Sequence, residues 1–122
     1  MRLLVALFAW LVLASPAPAA EAEAGPAVHV VIIHHPGPAW DKTKPFREQA
    51  GLEAHIAHYR ALLEKGELSM GGPFLDDTGG MMISKPGADL AALSAYAAED
   101  PAVKSGLLTF EAHAWLIGMA AD

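Results

Sequence analysis

The chain contains no cysteine. Disulfides therefore do not stabilise it, and thiol chemistry is excluded. The lack of a cysteine after the N-terminal apolar run also rules out a lipid-anchored lipoprotein. Basic residues are few, 8 Lys and Arg against 14 Asp and Glu, for a formal charge of −6. They form no cluster, and nucleic acid binding needs clustered cations to meet phosphates. No internal repeat, serine nucleophile motif or phosphate-cradling glycine loop is present. Beyond residue 20 no apolar run approaches the roughly 20 residues that a membrane helix requires.

The N-terminus itself reads as a leader. Arg2 precedes an apolar run from Leu3 to Leu13, followed by Ser-Pro-Ala-Pro-Ala-Ala. A basic start, a short apolar centre and small residues at the end mark a secretory signal peptide over residues 1–20. Cleavage is expected near Ala19 or Ala20. The mature protein is then periplasmic or secreted and is not held in the membrane. What remains, about 100 residues, is the size of one small domain.

Along that domain, Glu21 to Pro26 is a short lead-in, and the β-branched run "AVHVVIIHH", Ala27 to His35, reads as a strand. The segment "AWDKTKPFREQAG" reads as a loop with one helical turn. Leu52 to Lys65 fits a helix, with Leu52, Ile56, Tyr59, Leu62 and Leu63 on one apolar stripe and Gly66 just past its end. Glu67 to Leu75 reads as a strand with an irregularity at Gly71-Gly72. "DDTGG" reads as a turn, and Met81 to Ser84 as the returning strand. Asp89 to Ala98 is a second helix and Leu107 to Ile117 a last strand. The order β-α-β-β-α-β predicts an α+β ferredoxin-like sandwich over residues 27–120, with one sheet and two helices on one face. The first strand is apolar on both sides, with Val28, Val30 and Ile32 on one and Val31 and Ile33 on the other. One chain covers only one face with helices, so the pattern predicts a homodimer that packs sheet against sheet.

Six histidines are the conspicuous chemistry. On the helical wheel His55 falls inside the apolar stripe and His58 at its edge. A buried imidazole needs a partner for each ring nitrogen, and a satisfied core histidine is the plain reading of His55. A metal reading would join His55 to His58, or His34 to His35, with Asp76 or Asp77. Adjacent histidines on a strand point to opposite faces, which counts against the second pair. Asp100-Pro101 reads as the N-cap and first residue of a short helical turn.

His55, Gly66 eleven residues on, "GGPF" at Gly71 to Phe74, Asp100-Pro101 and Gly106 together resemble the YCII-related (YciI-like) domain family. "HHPGPAW", His34 to Trp40, resembles the segment after the first strand in one branch of that family. The resemblance spans about Val28 to Ile117 and implies a fold of the dimeric α+β barrel type. It further implies a pocket whose catalytic pair is His55 and Asp100, acting on small ring compounds. His58 does not match the family histidine. In this reading His55 is a general acid or base and Asp100 holds its tautomer and stabilises the imidazolium. That suits proton abstraction beside a carbonyl, since imidazole titrates near neutral pH. No cofactor is expected. The alternatives are a non-catalytic dimeric binding module, with the pair purely structural, and a periplasmic metal binder.

Overall fold

The computed structural model describes residues 27–122. The leader expected at residues 1–20 and the lead-in up to Pro26 lie outside the described residues. The elements run β1 (Val28–Pro36), a 3-10 turn (Phe46–Glu48), α1 (Leu52–Glu64), β2 (Leu68–Pro73), β3 (Gly80–Ser84), α2 (Leu90–Ala98), α3 (Pro101–Lys104) and β4 (Leu108–Leu116). The strands form one antiparallel sheet in the order β2-β3-β1-β4. This is the expected ferredoxin-like α+β fold, with β1 at the centre between β3 and β4.

Local chemistry explains where the elements stop and start. α1 ends in a Schellman motif: the Gly66 amide donates to the Leu63 carbonyl at 3.0 Å and the Glu67 amide to the Leu62 carbonyl at 3.1 Å. α2 is capped by Asp89, whose carboxylate accepts from the Ala91 amide at 3.0 Å. Asp100 caps α3 in the same way, with Pro101 at its first position.

The core lies between the sheet and its helices. Val30 and Ile32 of β1 pack with Leu68, with Tyr59 and Leu62 of α1, and with Leu93 and Ala97 of α2. Fully burying side chains such as Ile32 or Leu62 stabilises the fold by about 1.5–3 kcal/mol each. The other face of the sheet carries Val31, Ile33, Met81, Ile83 and Trp115, interleaved with His29, His113 and Glu111. Val31, Ile33 and Met81 there are only half-buried, and Trp115 is exposed.

Two expectations need correction. The α1 stripe does not all enter the core: Ile56 is 42% and Leu63 50% exposed, while His55, Tyr59 and Leu62 are buried. Ile56 and Leu63 overhang β2 and line a cavity instead. The irregularity in β2 falls not at Gly71-Gly72 but between Leu68 and Met70, where Ser69 is the extra residue. Gly71 lies in regular register opposite Met82. A side chain there would meet the Met82 sulfur at 2.1 Å, so Gly71 leaves room for a neighbour rather than making a bulge.

Candidate active site

Alternation along β1 sends Val30, Ile32 and then His34 toward the helices. His34 is 1% exposed. His35 points to the opposite face, where Glu111 accepts a hydrogen bond from its Nε2 at 2.9 Å. One turn apart on α1, His55 and Tyr59 face the same interior. Asp100 reaches this point from the N-cap of α3 and is wholly buried.

The geometry divides the carboxylate of Asp100 between two donors. Oδ1 accepts the Ala102 amide at 2.9 Å. Oδ2 lies 2.6 Å from His55 Nδ1. Burial alone would raise the Asp100 pKa, but the hydrogen bonds from His55 and the Ala102 amide outweigh it and hold the carboxyl below its usual value. An ionised Asp100 can only accept, so the pairing assigns the proton to His55 Nδ1 and leaves the lone pair on Nε2. Nε2 has no hydrogen-bond partner among the described residues, and His55 lines the cavity.

Residues 45 positions apart in the chain thus meet at hydrogen-bond distance. A third and a fourth side chain join them. The His34 and His55 rings meet edge to face, with centroids 4.9 Å apart at 85°. His34 Nε2 is hydrogen-bonded to the Tyr59 hydroxyl at 2.8 Å, while its Nδ1 has no hydrogen-bond partner. Burial, then the charge of His55, lowers the His34 pKa to about 4, against smaller opposing effects of the Asp100 charge and of the Thr109 backbone, which approaches the ring without completing a hydrogen bond to Nδ1. His34 is therefore neutral at pH 7. Burial and the Asp100 charge raise the Tyr59 pKa, so its hydroxyl keeps its proton.

The cavity beside this cluster has a volume of about 470 Å³, within the range of small-molecule sites. Trp40, Phe46, Leu52, Ile56, Leu63 and Met82 supply much of its apolar wall. Trp40 and Met70 thus line the cavity, while Trp115 lies on the other sheet face against His29.

The metal pairings drawn from the sequence are not assembled. His58 Nε2 donates to the Tyr96 carbonyl at 2.7 Å and its ring stacks on Tyr96 at 4.0 Å. His34 and His35 lie on opposite faces. Asp76 accepts from Thr78, and Asp77 from the Phe46 amide at 3.1 Å, so both serve turns. Among the described residues, the converging group of metal-capable side chains is His34, His55 and Asp100. The sequence reading weighed His34 only as a metal partner of His35, and missed that it and Tyr59 stand beside His55. The signal for His34 was present in the alternation of β1, which continues from Val30 and Ile32 to His34.

The buried neutral His34 has a consequence for acid stability. In the unfolded chain a histidine titrates near 6.5, but His34 in the fold does so at about 4. Between those values the unfolded state takes up a proton that the folded state refuses, so stability falls as pH drops. The loss approaches about 3 kcal/mol by pH 4. The lowered Asp100 pKa extends the loss in the same direction at still lower pH. Urea titrations of metal-free protein between pH 7.5 and 4.5 should show this decline, and His34→Phe should flatten it. A stability independent of pH over that window would contradict the burial of His34.

The YCII-related domain family matches residues 28–112, from the first residue of β1 into β4, and so includes His34, His55, Tyr59 and Asp100. None of the curated proteins compared with the chain matches it. Since the match covers well over half of the sequence and the fold agrees with it, the chain belongs to the YCII-related domain family.

Proposed function

We propose that this protein is a small-molecule enzyme in which His55 and Asp100 carry out general acid–base proton transfer, isomerase-like or lyase-like, on a small ring compound. The observation that supports it most is the buried 2.6 Å hydrogen bond between His55 and Asp100 beside an apolar cavity of about 470 Å³. His55 Nε2 takes a proton from a carbon next to a carbonyl, and the electron pair moves onto the carbonyl oxygen as an enolate. Asp100 stabilises the imidazolium that forms. Return of the proton to another carbon completes an isomerisation. Departure of a leaving group from the neighbouring carbon completes an elimination. The apolar wall selects a compact ring and keeps water from the enolate. In the same reading the half-buried outer face of the sheet meets a second copy, giving a homodimer with one cavity in each chain.

The test is hydrogen–deuterium exchange at such carbons, followed by NMR in D₂O with small lactones and cyclic ketones. Wild-type protein should accelerate exchange in a compound that fits the cavity, and His55→Gln should lose about 10²–10⁴-fold of that rate. Compounds that shift cavity resonances of the protein, yet exchange no faster than in buffer, would instead establish a non-catalytic binding module.

A further inference from the structure

His34 Nδ1 is the one buried side-chain nitrogen or oxygen among the described residues with no hydrogen-bond partner. Leaving such an atom unmet costs about 1–3 kcal/mol, so its persistence asks for an explanation. The ring cannot easily turn away, because Nε2 is held by the Tyr59 hydroxyl at 2.8 Å and the imidazole is packed against His55 and Tyr59. Beside the His34 ring stand His55 and Asp100, and one ligand atom from each of the three residues lies within 4.8 Å of the others. All three are buried.

These are the dimensions of a metal site short of closure. Ligands of a tetrahedral zinc ion with bonds of about 2.0–2.1 Å stand about 3.4 Å from one another. Side-chain shifts on the order of one ångström would bring the three donors to that spacing. We propose that His34, His55 and Asp100 form a binding site for one divalent transition-metal ion of the zinc class, with its remaining position open to the cavity.

The donor set selects the ion. Two imidazoles and one carboxylate suit zinc and its neighbours, whereas calcium and magnesium favour all-oxygen sets. The supporting contacts are those that metal ligands ordinarily have. With the ion on His34 Nδ1, Nε2–H donates to the Tyr59 hydroxyl oxygen. The Ala102 amide holds the second oxygen of Asp100. The ion takes the place of the proton between His55 Nδ1 and Asp100 Oδ2, and that proton moves to His55 Nε2, so the neutral imidazole keeps it. The inference does not rest on the acid–base reading and excludes it while the ion is bound, because an ion on His55 Nδ1 leaves the ring proton on Nε2 and removes the lone pair that faces the cavity. It departs from the expectation that no cofactor is needed.

The competing place for an ion is on the opposite sheet face, where exposed Glu111 accepts from His35 at 2.9 Å and from His113 at 3.1 Å. The experiment separates the two. Chelator-stripped full-length protein is titrated with Zn²⁺ alone by calorimetry, in two buffers of different ionisation enthalpy. One ion per chain and no net proton release are expected, because Asp100 is already ionised and both histidines bind as neutral imidazoles. His34→Gln should weaken binding by about 100-fold or more, and His113→Ala should leave it unchanged. Should His34→Gln fail to fold, ¹⁵N-histidine NMR of the wild type gives the answer, since Zn²⁺ must move the His34 and His55 ring signals. Absence of binding, binding lost in His113→Ala, or unmoved His34 and His55 signals would overturn the proposal. The last result would leave a bridging water, or a closer approach of the Thr109 backbone, as the partner of His34 Nδ1.

Discussion

Under the proposed acid–base function, Asp100→Asn is expected to lower turnover by about 10³–10⁴-fold while the chain stays folded, the order of loss seen when a histidine is left in the wrong tautomer. The backbone decides how the new amide sits. The Ala102 amide can only donate, so the asparagine oxygen must stay on that side, where Asp100 Oδ1 now accepts at 2.9 Å. The NH₂ group then faces His55 Nδ1 and donates to it. His55 must move its own proton to Nε2, which removes the lone pair that faces the cavity. The fold loses a charge-assisted hydrogen bond and keeps the helix cap, a cost of about 1.5–3 kcal/mol. Ring ¹⁵N shifts should report a proton on Nδ1 in the wild type and on Nε2 in the variant. An unprotonated Nε2 in Asp100→Asn would show that Asp100 does not set the tautomer of His55.

Gly79→Ala should have the largest effect on stability, beyond about 4 kcal/mol, which few single substitutions reach. Gly79 has φ +126°, a region that side-chain-bearing residues rarely adopt. A Cβ there would sit 1.9 Å from the His34 carbonyl oxygen and 2.9 Å from its carbon. Both are backbone atoms of the central strand and cannot turn aside. The Gly79 carbonyl also accepts the Phe74 amide at 2.8 Å, which closes the β2–β3 hairpin. Relief requires β3 to separate from β1 next to the paired residues His34 and Gly80, and that displaces His34 itself. With a total stability for such domains of about 5–15 kcal/mol, much of the protein should be unfolded or insoluble. Gly72→Ala is the matched control, because a Cβ there meets nothing within 4 Å. Urea denaturation of both variants checks the pair, and a Gly79→Ala midpoint close to wild type would refute the turn geometry.

The sequence by itself determined the parts of this protein that depend on near neighbours. Alternation of β-branched residues made β1, a 3.6-residue period made α1 and turned His55 inward, and Gly66 ended that helix. Asp100 was legible as a cap because capping acts over two or three residues, whereas Asp89, read as the first residue of α2, is its N-cap. These terms also ordered the elements, and the order suffices for the ferredoxin-like topology. The pairing of His55 with Asp100 could be expected only from the family resemblance, since no local rule links residues 45 positions apart. Tertiary structure alone decided that Ile56 and Leu63 line a cavity while Leu62 fills the core, because the helical wheel gives a direction but not where the helix crosses the sheet. It alone placed the β2 bulge at Ser69, which depends on the register against β3. It also turned His34 from the next residue of an alternating strand into a neighbour of His55, Tyr59 and Asp100. That juxtaposition arises where a strand, a helix and a capped turn converge, and periodicity within any one of them contains no information about the other two.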